Sequence, residues 1–89
     1  MLEMVQVSGI VQRALHGPKG ETRGVLLEDG PMVRFPAHAA DRIPELIRPG
    51  ARVSARGHGF ESDLATVLEA EEIGASARKL RRLPPPHKH

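Results

Sequence analysis

Eighty-nine residues allow one domain, and a chain of this size buries only about 60% of the surface its unfolded form exposes, so its core is small. Cysteine is absent, which excludes disulfide bracing, thiolate metal sites and a cysteine nucleophile. The net charge of +2 is unevenly placed: residues 1 to 74 carry eight basic side chains against eleven acids, a balance of −3, and residues 75 to 89 carry five basic side chains and no acid. Attraction for a polyanion therefore has to come from a local patch or from the C-terminal segment, and not from overall charge.

Along the chain, Met4 to Arg13 alternates apolar and polar residues until Gly9, where the phase slips by one. This predicts a long first strand with a bulge at that glycine. The breaker-rich stretch His16-Gly17-Pro18-Lys19-Gly20 is a loop, and Thr22 to Glu28 returns to β-favouring residues. Asp29-Gly30-Pro31 supplies a turn before a third strand, Met32-Val33-Arg34-Phe35. From Ala37 to Arg48 the apolar spacing becomes helical, through Ile43, Leu46 and Ile47. With Asp41 as N-cap, Pro44 would fall in the first turn, where a missing N–H is tolerated. Pro49-Gly50 stops that helix, and Ala51 to Arg56 begins a fourth strand with Arg52, Ser54 and Arg56 on one side. Gly57 to Asp63 reads as a glycine-rich loop. Leu64 to Ile73 reads as a fifth strand, although its Glu and Ala content also permits a helix. The chain then divides into a domain over residues 1–74 and a basic, proline-rich flexible tail over 75–89.

Three strands, a short helix and two more strands, with a bulged glycine in a long first strand, is the order of the OB-fold, an all-β five-stranded barrel with the helix between strands 3 and 4. Residues 24–30 (Gly24 to Gly30), 33–36 (Val33 to Pro36) and 49–53 (Pro49 to Val53) resemble small bacterial OB-fold proteins of undetermined role. The resemblance covers residues 3 to 74. It implies a barrel whose ligand, where there is one, crosses strands 2 and 3 between the first and fourth loops, and that ligand can be an oligonucleotide, an oligosaccharide or a protein.

OB-fold readers of single strands combine cations for phosphate with aromatic faces for bases. Aromatic residues are scarce: Phe35 shares parity with Val33 and belongs to the core, which leaves Phe60 as the stacking candidate. Arginine both binds phosphate and stacks on bases, so Arg23, Arg34, Arg52 and Arg56 are the expected nucleic-acid contacts, with Lys19 and His16 of the first loop extending their surface. Ordinary pairing of these arginines with Glu28, Glu69, Glu71 or Glu72 is the competing expectation. Arg78, Lys79, Arg81 and Arg82 of the tail would add sequence-independent, salt-sensitive affinity.

The five histidines lack metal-ligand spacing, the serines lie in no nucleophile motif, and no phosphate-cradling glycine loop precedes a helix. A non-catalytic binding module without metal or cofactor is expected. Its partner is single-stranded DNA or RNA, or alternatively a protein docking through a barrel edge or the prolines at 84–86. With no apolar run long enough for a membrane span and no signal-peptide pattern, the chain reads as cytoplasmic.

Overall fold

A computed structural model describes residues 3–84. Its framework is one long first strand, β1 (Glu3–His16), that serves two neighbours in succession. The N-terminal half pairs antiparallel with β4 (Arg52–Glu61), from Glu3 opposite Gly59 to Ile10 opposite Arg52. The C-terminal half pairs with β2 (Thr22–Leu27), from Val11 opposite Leu27 to His16 opposite Thr22. A strand shared in this way must bend. The register slips between Val11 and Arg13 on the β2 side, whereas pairing with β4 runs unbroken through Gly9 opposite Val53. The expected bulge at Gly9 is thus displaced to the point where β1 changes partners.

β2 turns through Gly30, at φ 112°, into β3 (Met32–Arg34), and β4 returns antiparallel as β5 (Thr66–Gly74). Parallel pairing of β3 with β5, Met32 to Arg34 opposite Val67 to Glu69, closes a five-stranded barrel. Among the described residues, helix is limited to α1 (Ala37–Ala40) and a 3-10 turn over Pro44–Leu46, so the fold is the all-β, OB-type barrel expected. Inward-facing Val11, Val25, Leu27, Val33, Val53, Leu68 and Ile73 are all but inaccessible. Phe35 joins them, as its parity required. Ala39, Ala40, Ile43 and Leu46, from the helical connection, pack into the same core.

Three segments depart from expectation. The Ala37–Arg48 helix breaks in two, and Asp41 stands at the C-terminus of α1 and not at the start of a longer helix. Pro44 opens a separate 3-10 turn, since a proline there cannot continue the helix begun at Ala37.

The Gly57–Asp63 loop is instead strand as far as Glu61. Gly57 and Gly59 alternate on the inward face of β4. A Cβ on Gly57 would strike the Glu69 carbonyl oxygen, and one on Gly59 would lie 2.5 Å from that of Val67. These glycines mark close backbone approach where the barrel coils.

The third departure is the tail. Residues 81–82 form a short strand, β6 (Arg81–Arg82), antiparallel to β5, and Leu83 is buried in the core. Gly74 makes the reversal possible, because a side chain there would meet the Lys79 carbonyl. At least to Pro84 the basic segment belongs to the domain; the part of the tail expectation that concerns residues 85–89 lies outside the described residues.

Candidate functional site

The outer face of β2 and β3 carries a groove. Register places Gly24 of β2 beside Arg34 of β3, and Arg34 beside Glu69 of β5. Gly24 allows the two strands to approach closely, since a Cβ there would lie 2.5 Å from the Val33 carbonyl oxygen. Arg23, at the exposed start of β2, borders the same space, because the Phe35 N–H donates to the Arg23 carbonyl oxygen at 3.1 Å and draws the two chain segments together. Arg23, Arg34, Phe35, Pro36, His38 and Glu69 line a hollow of about 400 Å³. Arg23 and Arg34 also border a second hollow against Leu15, His16, Pro18 and Met32, which carries the groove to the first loop. In the other direction Pro36 and Glu69 lead into a cleft of about 370 Å³ whose walls include His58, Glu71, Arg82 and Leu83. His16, His38 and His58, far apart in sequence, thus lie along one path.

Both groove arginines have carboxylate partners. Arg23 lies 3.3 Å from Glu21, and Arg34 Nε lies 3.5 Å from Glu69. Glu21 also accepts a hydrogen bond from the Lys19 backbone N–H at 3.0 Å, which folds the first loop back toward β2. Its carboxyl is held below the ordinary value of 4.5, first by its own backbone N–H; burial opposes this, and the Lys19 N–H and the Arg23 side chain add to the lowering. The Arg34 and Glu69 side chains are 51% and 65% exposed, so water screens their attraction, and such pairs are worth about 0 to 1 kcal/mol. Exchanging Glu69 for another anion therefore costs little.

Beside this ionic row runs an apolar one. Leu26 pairs with Met32, Met32 with Val67, and Val67 with Phe60. All four have the outward parity of their strands; Leu26, Met32 and Val67 are half-buried, and Phe60 is 55% exposed at the end of the row. Leu64, at the tip of the β4–β5 turn, is 96% exposed. Met32 and Val67 escaped sequence reading because apolar strand residues are ordinarily assigned to the core. The available signal was parity, since Met32 alternates with Val33 and must face the same side as Arg34.

The remaining candidates are dispersed. Arg52 and Arg56 stand on β4 with the outward parity expected, but β1 separates β4 from β2, so they do not join the groove arginines. Arg56 lies 3.4 Å from Glu72, and Glu72 is opposite Arg82 on its other side, so one carboxylate sits between two guanidinium positions. Ser54, on the same side as Arg52 and Arg56, is buried and bonds to the Ser8 hydroxyl at 2.7 Å. Lys19 is exposed in the first loop. Arg78 and Lys79 are exposed on the turn after Gly74, and Arg81 pairs with Glu45 of the 3-10 turn. His58 pairs with Glu71.

No group of three or more metal-binding side chains occurs among the described residues, and no helix among them is long and apolar enough to cross a membrane. Neither the protein-family models nor the curated proteins include a match to this chain.

Proposed function

We propose that this chain is a non-catalytic OB-type binding module, akin to the small bacterial OB-fold proteins its sequence resembles, that holds single-stranded DNA or RNA weakly and without sequence preference along the β2–β3 groove. The observation that carries this reading is the juxtaposition of two rows on one barrel face. Arg23 and Arg34 border two adjoining hollows, and the outward row of Leu26, Met32, Val67 and Phe60 runs beside them. Phosphates displace the exposed carboxylates from the two arginines, and base faces lie on the apolar row. Phe60 is the one stacking platform, worth about 1 to 3 kcal/mol per base. With a single aromatic in the row, affinity rests mainly on phosphate contacts and falls steeply with salt. Lys19, Arg78 and Lys79 are exposed enough to add phosphate contacts; Arg52 and Arg56 contribute less because β1 separates β4 from β2, and Arg81 and Arg82 because β6 holds them at the β5 edge.

Fluorescence polarisation of short labelled oligonucleotides at low salt tests the reading. Binding by the wild-type chain and its loss in the Arg23→Glu/Arg34→Glu double variant are expected. Equal affinity for both proteins sinks the groove assignment.

A second reading, a protein-docking module, is favoured by Phe60, near the end of β4, and Leu64, in the β4–β5 turn, two large apolar side chains left exposed. It is distinguished by a complex that survives high salt and nuclease and is lost in Phe60→Ser/Leu64→Ser. The barrel edges offer less to that reading than the sequence suggested. β3 pairs with β5 over Val67 to Glu69, and β6 occupies the adjoining stretch at Glu72 and Ile73.

A further inference from the structure

Beyond the point where β3 leaves it, the edge of β5 is filled by the chain's own C-terminal segment. Glu72 pairs with Arg82 and Ile73 with Arg81, and the Leu83 N–H donates to the Glu71 carbonyl oxygen at 2.9 Å. Leu83 is 6% exposed and belongs to the core cluster, sharing a cleft with Pro36 and Ala70. Arg81 reaches Glu45 on the 3-10 turn, and Arg82 stands beside Glu72. These features together are those of strand addition: backbone hydrogen bonds to a free edge, a hollow for one apolar side chain, and carboxylates matched to flanking cations.

The occupant is held less firmly than the strands of the barrel. β6 is only two residues long, its ion pair with Glu45 is exposed, and the turn that carries it holds the exposed Ala75, Arg78 and Lys79. Segments with one buried anchor and few ladder bonds open far more readily than the barrel around them. The receiving surface itself is acidic: residues 1 to 74 have a balance of −3, and Glu45, Glu71 and Glu72 border the slot. Charge complementarity and the leucine hollow define what fits there.

We propose that the β5 edge from Glu71 to Ile73, with its leucine hollow, is a second binding site, which accepts an extended basic peptide bearing leucine after paired arginines from a protein partner. β6 holds the site closed in cis. A partner strand replaces β6, frees residues 75–84 with their cations, and removes Arg82, Leu83 and Pro84 from the wall of the cleft that adjoins the β2–β3 groove. The proposal does not depend on a nucleic-acid ligand in that groove.

The test uses the full-length chain and a labelled synthetic peptide with the sequence of residues 78–84. In Arg81→Glu/Leu83→Asp the cis strand is disabled. This variant is expected to bind the peptide at least about 10-fold more tightly than the wild-type chain, whose tethered strand competes at an effective concentration in the millimolar range. A peptide with aspartate in place of the leucine should not bind. Methyl resonances of Val25 and Leu68 report whether the barrel is intact; should Leu83→Asp unfold it, Arg81→Glu/Arg82→Glu disables the strand and keeps the leucine. Adding Glu45→Arg to the disabled chain should weaken the peptide, and a peptide with glutamate at the position of Arg81 should recover affinity for it. A folded, disabled chain that ignores the peptide, or one that binds it no better than wild type does, overturns the proposal. So does a wild-type chain that forms a stable dimer at high concentration by exchanging β6, an outcome that assigns the edge to a second copy.

Discussion

Two regions of this molecule present arginines to carboxylates, and the same chemistry serves different ends in each. On the β2–β3 face, Arg23 and Arg34 meet Glu21 and Glu69 in the open, above a groove, with no buried side chain attached to either pair. On the β5 edge, the pairing of Arg81 with Glu45 accompanies a backbone ladder and the buried Leu83. Charge pairs in water contribute little by themselves, so the groove pairs are exchangeable, whereas the edge pair is fastened by its neighbours. A cation's availability to a ligand is thus decided by what else its segment buries.

The largest expected effect separates the regions by stability. Leu83→Ala should lower the unfolding free energy by about 2 to 3 kcal/mol, as for other buried leucines, read as a shifted urea midpoint. A loss under about 0.5 kcal/mol, the range of ordinary surface substitutions, would make the β5 edge as loosely held as the groove.

Gly74→Ala comes next, at about 1 to 3 kcal/mol, because the new methyl meets the Lys79 carbonyl and the turn must shift. Amide exchange should show the damage concentrated at Leu83, with Val25 and Leu68 still protected.

Arg23→Ala/Arg34→Ala should leave stability within about 0.5 kcal/mol of wild type. The same pair should flatten the slope of log affinity for single strands against log salt by about 1.4, or about 0.7 for each phosphate that is no longer neutralised.

The smallest effect is a dependence on pH that touches both regions. Hydrogen bonds from its own N–H and from Arg81 hold the Glu45 carboxyl below its ordinary value of 4.5, and Glu21 is lowered by its own backbone N–H, by Lys19 and by Arg23. A lowered folded value means that each contribution is complete above 4.5 and is lost as pH falls through the folded value. Acid titration below 4.5 should therefore loosen the β6 clasp and the first loop together, read from the Leu83 methyl and the Arg23 and Arg81 side-chain resonances. Glu45→Gln should remove the response at Leu83 and leave that at Arg23.

Much of the barrel was legible in the chain. Alternation placed Val33 and Phe35 inward and Arg34, Arg52 and Arg56 outward, and of the β-leaning run Ala65 to Leu68 all but Ala65 fell on the closing strand. Local reading failed where a residue answers to a distant neighbour. Gly57 and Gly59 look like loop glycines until the Glu69 and Val67 carbonyls come into contact with them, and Pro44 looks admissible in a helix until the connection bends at Asp41. The site was half legible: parity exposes an outward arginine, but strand order alone decides that Arg34 joins Arg23 and Arg56 does not.

Side-chain period and turn chemistry, which are properties of consecutive residues, determined by themselves that this chain makes strands with one apolar face and a breaker-rich first loop. Closure of β3 on β5, the groove between two arginines, and the return of Arg81 to Leu83 onto the β5 edge were decided by the tertiary structure. Each depends on groups from different strands that only the folded chain brings side by side, and a buried leucine or a paired arginine acquires its role only from what it is packed against.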